Sequence, residues 1–419
     1  MPFYLFATYI LATLLLNIFG PWTYQENNHI VTFLFVLCFL LSAFFFYWIG
    51  IVKKGRKKSQ VELTLNIKIV EWFILLSVSL VTLMLGIKII QNGMPTGEKF
   101  YLLMAQAYTN KNVQDGINLS AWLFNYFSFF FMSGTVLGMY FYKKINKISK
   151  IFLIISVVIY LVYNVLYVGN QKALGDIVIY ALTIVLVRVT MQSKKISMKY
   201  IFIFLAILSS VSFIFSKILV NRMQYWGVEY YSVGNQAFLD INHPLFMLIK
   251  DPALKLGIGT LIFYLSSGYY GLGLSLNLPF HWSLGYGSSF AVRELLDKVV
   301  YYGEDQIASY PIRMEQVYGW DAYANWHTIF PWLASDFTFF GTLIILGFIC
   351  LVYAISWKNI LKGKHWSNLL LFSQINILLL FVPANNQLFQ TRSSLVSTML
   401  IFIIWLLKKD YIMKEVKKS

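Results

Sequence analysis

Long apolar runs recur along the whole chain, and they constrain its fold more than any other feature. A helix needs about 20 mostly apolar residues to cross the hydrocarbon of a bilayer. We therefore expect an all-α polytopic membrane protein with about ten transmembrane helices. The predicted spans are 3–20, 30–52, 69–90, 121–142, 151–168, 177–192, 200–219, 331–356, 367–384 and 393–407.

Composition excludes the soluble classes of protein. Of the 419 residues, 58% are apolar and only 12% are charged, whereas soluble domains are about 25% charged. A globule of this size would lack the charge to cover its surface in water. Cys38 and Cys350 both lie in apolar runs, so no disulfide framework is expected. The first run has neither a basic start nor a small-residue cleavage site, which favours a retained span over a signal peptide.

The positions of the basic residues predict the orientation. A net charge of +16 would suggest a nucleic-acid partner in a soluble protein, but none is expected here. Short loops rich in Lys and Arg face the cytoplasm, so both termini are predicted to be cytoplasmic. Most Lys and Arg fall in alternate links between the spans, at 53–58, 143–150, 193–199, 358–366 and in the tail from 408.

This topology divides the chain into three regions. Residues 1–219 hold seven predicted helices, 220–330 form a large outer loop segment, and 331–419 hold three helices and a basic cytoplasmic tail. Within the outer segment, 256–278 is almost long enough to cross, but crossing would turn the basic link at 358–366 outward. We therefore expect a re-entrant or interfacial element there, which its Gly and Ser content suits.

Candidate functional residues concentrate in the outer segment. The chain has no nucleotide-binding, hydrolase or metalloprotease motif and no metal-ligand spacing, so no cofactor and no metal are predicted. Arg222, Arg313 and Arg293 are candidate phosphate ligands, because a guanidinium fork can meet two oxygens at once. Each also has an ordinary interpretation: snorkelling for Arg222, an ion pair with Glu315 for Arg313, and a solvated helix face for Arg293.

Aromatic residues are interleaved with these charges. Rings beside fixed polar groups suit a ligand with one apolar face and many hydroxyls, which describes a sugar. The alternative is the aromatic belt, where Trp and Tyr lie at headgroup level whatever the function. The candidate sugar-binding residues are Tyr270, Trp282, Trp320 and Trp326.

The stretch NWHTIFPWLASDFTFFG, residues 325–341, is the most informative. Thr328 is a plausible helix cap and Pro331 suits a first turn, so a span is predicted to begin here. Asp336 would then lie at membrane depth, where an acidic group is either functional or the structural partner of a cation. His327, just before the helix, is a candidate general base or a hydrogen-bond donor to a phosphate. Glu315 is a further candidate carboxylate.

Three segments resemble the bacterial O-antigen and capsule repeat-unit polymerases, the Wzy class. They are YLSSGYYGLGLSLNLPFHWSLGYGSS (264–289), YPIRMEQVYGWD (310–321) and WHTIFPWLASDFTFFGTL (326–343). The D-F-x-x-x-G step of that class is similar to Asp336, Phe337 and Gly341. A Gly usually follows the Asp-Phe pair, whereas this chain has Thr338.

The resemblance implies a GT-C-like integral-membrane glycosyltransferase, a lipid-linked oligosaccharide polymerase, at the outer face of the bacterial inner membrane. Such enzymes transfer a growing glycan from undecaprenyl diphosphate to a new lipid-linked repeat unit without nucleotide sugar. The implied partners are that lipid-linked donor and acceptor, membrane lipid and a chain-length regulator. Arg222, Arg313 and Arg293 would stabilise the departing diphosphate. His327 would take the acceptor proton, with Asp336 and Glu315 as further candidates.

Two alternatives remain open. An O-antigen ligase uses the same donor and passes the glycan to lipid A core, although the residues after His327 fit that class poorly. A flippase or transporter for the same lipid-linked sugar would move it without forming a bond. Transporters usually show paired halves and broken helices near the midplane, and no such pairing is apparent in this sequence.

Overall fold

The computed structural model describes residues 1–25, 28–52, 63, 65–93, 119–169, 172–192, 232–296 and 309–409. Within these ranges the chain is mostly helical. The helices are α1 (Pro2–Phe19), α2 (His29–Val52), α3 (Ile67–Asn92), α4 (Leu119–Tyr140), α5 (Lys147–Val162), α6 (Lys172–Gln192), α7 (Pro252–Ser266), α8 (Gly268–Leu276), α9 (Phe290–Leu296), α10 (Tyr310–Tyr318), α11 (Ile329–Leu361), α12 (Ser367–Leu380) and α13 (Arg392–Lys408).

Five short elements, two helical turns and three strands, account for the other regular structure in the described ranges. A π-helical turn, Tyr163–Val168, continues α5, and a 3-10 turn covers Pro244–Phe246. The strands β1 (Trp22–Tyr24), β2 (Ser232–Val233) and β3 (Ala237–Leu239) form an antiparallel sheet in the order β1-β3-β2.

The prediction of a membrane protein is confirmed by the length and composition of the helices. Among the described residues, 6 helices are long and apolar enough to cross a bilayer. They are Pro2–Phe19, His29–Val52, Ile67–Gln91, Lys147–Val168, Lys172–Met191 and Ile329–Leu361. In α2, Leu34, Leu41 and Phe45 are 52%, 60% and 55% exposed. Such apolar surface is unfavourable in water and suits contact with lipid chains.

The predicted number of ten spans is not reached among the described residues. The predicted span 121–142 forms α4, which is not among those 6 helices, and 200–219 lies outside the described residues. The last two predicted spans, 367–384 and 393–407, form α12 and α13 with 14 and 17 residues. The GT-C architecture therefore stays a prediction.

The chain packs into two compact units that interleave along the sequence. Unit 1 comprises Met1–Trp48, Ser197–Leu351 and Leu378–Gln390, and unit 2 comprises Ile49–Ile196, Val352–Ile377 and Thr391–Ser419. The division predicted from topology was linear, because topology follows the order of spans and not their packing.

Unit 1 has its core beside the small sheet. Trp22 in β1 pairs with Leu239 in β3, and its indole Nε1 donates to the Gly259 carbonyl at 2.7 Å. The ring of Trp22 also packs against Phe263 of α7, 4.6 Å between centroids. The cluster continues to Trp320, which is fully buried. Strand β1, directly after α1, therefore packs in the same core as residues of segment 220–330.

The predicted re-entrant or interfacial stretch 256–278 forms two helices, α7 and α8, separated at Ser267. Gly268 begins α8 at a point of close contact. A Cβ there would lie 2.0 Å from the Pro383 carbonyl oxygen and 3.0 Å from the Thr328 amide nitrogen. Only glycine fits this approach. The depth of this helix pair in the membrane stays a prediction.

Unit 2 is held by close helix packing with short polar contacts. A Cβ at Gly134 in α4 would lie 2.6 Å from the Phe73 carbonyl oxygen of α3. Hydroxyl pairs join other helices of this unit: Ser77 with Ser156, and Ser128 with Ser397, each at 2.6 Å. Small residues at helix contacts and hydroxyl bonds between helices are typical of membrane bundles.

Candidate functional site

A break in α11 defines one side of the candidate site. Thr338 has φ 61° and ψ 164°, inside a helix that otherwise runs from Ile329 to Leu361. This backbone region is essentially restricted to glycine, and a β-branched residue there is strained. The first segment of α11 thus ends directly after Asp336 and Phe337.

Asp336 is held by one loop through both of its carboxylate oxygens. Its Oδ1 accepts from Ser283 Oγ at 2.6 Å, from the Gly285 amide at 2.9 Å and from the Gly287 amide at 3.4 Å. Its Oδ2 accepts from the Ser288 amide at 2.8 Å and from the Ser288 hydroxyl. The residue is only 8% exposed. These five hydrogen bonds fix the orientation of the Asp336 side chain.

The sequence of this loop explains why it can wrap a carboxylate. Leu284 and Gly285 both have positive φ, 53° and 89°, which turns the backbone so that successive amides converge. A Cβ at Gly287 would lie 2.2 Å from Ser283 Oγ and 2.3 Å from Ser335 Cβ. The Gly-x-Gly pair at 285 and 287 therefore serves close packing around Asp336.

The polar loop, defined as residues 283–290, continues into a second polar contact. Asn386 Nδ2 donates to the Ser288 carbonyl at 2.9 Å, and Ser289 Oγ donates to the Phe389 carbonyl. The Phe290 amide donates to Gln390 Oε1 at 3.4 Å. The second polar atom of each of these two side-chain amides, Asn386 Oδ1 and Gln390 Nε2, is buried without a partner in the described part of the chain. A buried donor and a buried acceptor are thus left beside the polar loop.

Arg313 lies on α10 and contacts the chain four residues before this loop, at Pro279. Its Nη1 donates to the Pro279 carbonyl at 2.8 Å, and its guanidinium lies 5.4 Å from the centre of the Tyr310 ring. The Tyr310 amide donates to Ser335 Oγ at 2.9 Å, which ties the start of α10 to α11 beside Asp336. Burial raises the pKa of the Tyr310 phenol, and the Arg313 charge partly offsets that rise. Arg313 is therefore a positioned cation, only partly exposed.

The remaining charged candidates are placed differently. Glu315 is exposed, and its Oε2 accepts from the Ala322 amide at 3.1 Å. Arg293 lies in the last turn of α9, and its amide donates to the Ser289 carbonyl at 3.0 Å, one turn after the polar loop. Arg222 lies outside the described residues.

His327 is enclosed. It is 1% exposed, and its Nε2–H donates to the Asp321 carbonyl at 3.0 Å. Burial lowers the pKa of the imidazole to about 4, although Asp321 raises it in part. The imidazole is neutral at physiological pH. An ideal Cβ at Gly271 would lie 3.2 Å from its Nδ1, so the neighbouring backbone covers the nitrogen that a general base would use.

The predicted helix cap at Thr328 is not formed. Its Oγ1 is buried without a partner among the described residues, and the Ile329 amide donates instead to the Val382 carbonyl at 3.0 Å. The physical reason is that the chain enters α11 inside the fold, where a neighbouring backbone carbonyl meets the first amide.

The four candidate sugar-binding aromatics divide into two pairs. Trp320 is fully buried and Tyr270 is 2% exposed, and their rings meet edge to face at 4.9 Å. A ligand cannot reach the faces of this pair as it is packed here. Trp282 is 61% exposed, and Trp326 is partly exposed with its ring 5.3 Å from Tyr264. Of these four aromatic residues, Trp282 and Trp326 have rings that a ligand can reach.

Sequence reasoning missed the groups that contact Asp336 and the polar loop. Ser283 and Ser288 are separated from Asp336 by 53 and 48 residues, and Asn386 from Ser288 by 98. The available signal was the run of Gly and Ser at 283–289, which is typical of a backbone that approaches another group closely.

Comparisons with known proteins give no assignment. The chain matches no protein-family model, no curated protein and no solved structure. Within the described ranges, no group of three or more His, Cys, Asp or Glu residues is arranged to hold a metal ion.

Proposed function

We propose that this protein is an integral-membrane glycosyltransferase that polymerises lipid-linked oligosaccharide repeat units at the outer face of a bacterial inner membrane. The observation that carries the proposal is the polar loop wrapped around Asp336, with Arg313 bound to the Pro279 carbonyl ahead of that loop, in a chain with 6 helices able to cross a membrane among its described residues. A fixed cation next to the membrane suits a substrate whose diphosphate is anchored by a lipid tail.

The proposed reaction is a displacement at the anomeric carbon of the donor glycan. The acceptor hydroxyl forms a new C–O bond, and the bond to undecaprenyl diphosphate breaks with its electron pair on the leaving diphosphate. Arg313 stabilises the negative charge that grows on that group, because a preorganised cation needs no rearrangement during the reaction. Arg293 and Arg222 are proposed as further ligands of the same diphosphate.

The acceptor proton must pass to a base. Both oxygens of Asp336 already accept hydrogen bonds from the polar loop, and His327 is enclosed. Glu315 is the exposed carboxylate on the same helix as Arg313, two residues along. We therefore propose Glu315 as the general base that accepts this proton, and positioning roles for Asp336 and His327. The exposed ring of Trp282 and the partly exposed ring of Trp326 would hold the sugars by stacking.

Reconstitution with lipid-linked repeat units tests the function and the site together. Native protein is expected to give a ladder of glycans, whereas one product linked to lipid A core would indicate a ligase. Movement without bond formation would indicate a flippase. Arg313→Ala should reduce laddering by about 100-fold, as expected for loss of one charge-stabilising group, and Arg313→Lys should restore part of it.

Lys255→Ala serves as the control for these variants. Lys255 is a partly exposed cation of the same unit, and its Nζ donates to the Ile241 carbonyl. Its removal should leave laddering unchanged. Normal laddering by Arg313→Ala would remove Arg313 from the proposed site, and absence of laddering by native protein with any repeat unit would refute the polymerase proposal.

A further inference from the structure

Unit 2 contains a cavity that plays no part in the proposed reaction. Its volume is about 170 Å³. One wall is formed by α4, another by the end of α5, a third by the beginning of α6, and the last by the beginning of α13. The volume is below the roughly 300 Å³ of common small-molecule pockets. It therefore suits one small ligand and not a chain of several sugars.

A π-helical turn shapes this cavity. The turn covers Tyr163–Val168 and ends at Gly169, whose φ is 66°. Single π turns inside α-helices occur frequently at functional sites, because the extra residue redirects side chains out of the regular pattern. Here Tyr163 and Asn164 both reach the cavity wall. The Asn164 Nδ2 is held by the Tyr160 carbonyl at 2.9 Å, which fixes the orientation of its amide.

An ion pair provides both a donor and an acceptor in the same cavity. Lys172 Nζ lies 3.8 Å from Asp176 Oδ2 and donates to Ser394 Oγ at 3.2 Å. The other carboxylate oxygen, Asp176 Oδ1, is buried without a hydrogen-bond partner in the described part of the chain. A buried carboxylate oxygen without a donor is costly. A ligand that donates a hydrogen bond would remove this cost.

Another part of the cavity lining is aromatic. The rings of Phe131 and Tyr160 lie 4.1 Å apart, and Phe124 lies 5.5 Å from Tyr160. Tyr180 also lines the cavity, and its hydroxyl accepts from Gln374 Nε2 at 3.0 Å. That bond directs the Tyr180 oxygen and leaves its O–H as a donor. The cavity thus combines an aromatic wall with several hydrogen-bonding groups of both kinds.

The charges argue against an ionic ligand. Asp176 would repel an anion and Lys172 would repel a cation, so neither kind of ion gains a net attraction from the pair. The beginning of α13 does not attract an anion strongly either, because the Ser394 amide already donates to Thr391 Oγ1 at 3.3 Å. A purely apolar ligand would leave Asp176 Oδ1 unsatisfied.

We infer that the unit 2 cavity binds a neutral, polyhydroxylated ligand, a single sugar ring. Hydroxyl groups both donate and accept, so one ring can donate to Asp176 Oδ1 and accept from Asn125 or Asn164 while its apolar face meets the aromatic wall. The inference is independent of the proposed transfer reaction, since it concerns binding at other residues.

Saturation-transfer NMR with the full-length protein in nanodiscs tests the inference. The probes are methyl glucoside, N-acetylglucosamine and inositol as neutral ligands, with glucuronate as the anion and choline as the cation. At least one neutral probe should bind to native protein. Asp176→Asn should weaken that binding at least about tenfold, because it removes the charged acceptor. Ala121→Trp should abolish it by filling the cavity while every polar group remains.

The control is Asp251→Asn, which makes the same charge change at an exposed residue of unit 1. It should bind like native protein. Thermal midpoints of all variants verify folding, and Ala121→Trp keeps the test decisive if Asp176→Asn fails to fold. The inference is overturned if no neutral probe binds, if glucuronate or choline binds instead, or if binding survives in Ala121→Trp.

Discussion

At the scale of single residues, Thr338 has a strained backbone conformation inside a helix. Its φ of 61° and ψ of 164° belong to a region that glycine occupies freely. The conformation is retained because the chain must turn directly after Asp336, whose five hydrogen bonds fix the preceding segment. We attribute the break in α11 to this fixed carboxylate.

Replacing Thr338 with Gly should stabilise the protein. The change removes about 1–3 kcal/mol of backbone strain and loses only the 3.2 Å bond from the Gly341 amide to Thr338 Oγ1. The thermal midpoint in detergent is expected to rise. Thr82→Gly is the matched control, because Thr82 is also exposed but lies in the regular helix α3, where glycine is unfavourable and should lower the midpoint. A lower midpoint for Thr338→Gly would show that the strain is not relieved.

The lowered pKa of His327 predicts how the free energy of unfolding depends on pH. Burial lowers its pKa in the folded protein from 6.5 to about 4, so the unfolded chain binds more protons between these values. Stability should therefore be complete above about pH 6.5 and fall as the pH decreases towards 4, by up to about 3 kcal/mol. Denaturant unfolding at several pH values measures this. His327→Gln keeps a donor for the Asp321 carbonyl and should flatten the profile. An unchanged slope in that variant would contradict the assignment.

At the scale of helices and strands, apolar runs predicted several spans well and breaks poorly. The predicted spans 3–20 and 30–52 correspond to α1 and α2 within a few residues. Helix α6 begins at Lys172 and not near 177, because Lys172 and Asp176 pair with each other on one helix face. Hydropathy alone treats such a pair as a loop, although the charges are satisfied inside the fold.

The division between α7 and α8 could not be predicted either, because its cause lies far along the chain. Gly268 is required by the Pro383 carbonyl, and nothing local to Gly268 indicates that contact. For the same reason, Asp336 was identified from sequence as an acid with a role at the start of a span, whereas its partners in the polar loop were not.

Gly268→Ala should destabilise unit 1 strongly. The new Cβ would lie 2.0 Å from the Pro383 carbonyl oxygen, and overpacking of this kind typically costs about 1–3 kcal/mol or more. Gly86→Ala is the matched control, since a Cβ added at Gly86 in α3 would have no atom within 4 Å. That change should stabilise the helix by up to about 1 kcal/mol. Equal thermal midpoints for the two variants would contradict the close approach.

At the scale of the whole molecule, the proposed chemistry depends on the side of the membrane on which segment 220–330 lies. The basic links predict that 220–330 lies outside and that 143–150 lies in the cytoplasm. In a background in which Cys38 and Cys350 are replaced by Ser, Lys255→Cys should react with an impermeant maleimide on intact cells. Lys143→Cys should react only after permeabilisation. The reverse pattern would place Arg313 in the cytoplasm and exclude the proposed transfer reaction.

The sheet in unit 1 has a consequence for how this protein is made. Strand β1 follows the first helix, yet its partner β3 is separated from it by 215 residues, as measured between Thr23 and Phe238. Translation at roughly 5–20 residues per second delays that partner by about 10–40 seconds. The first strand to leave the ribosome therefore waits, unpaired, while several later helices are inserted. Assembly of the outer segment is thereby coupled to completion of more than half of the polypeptide.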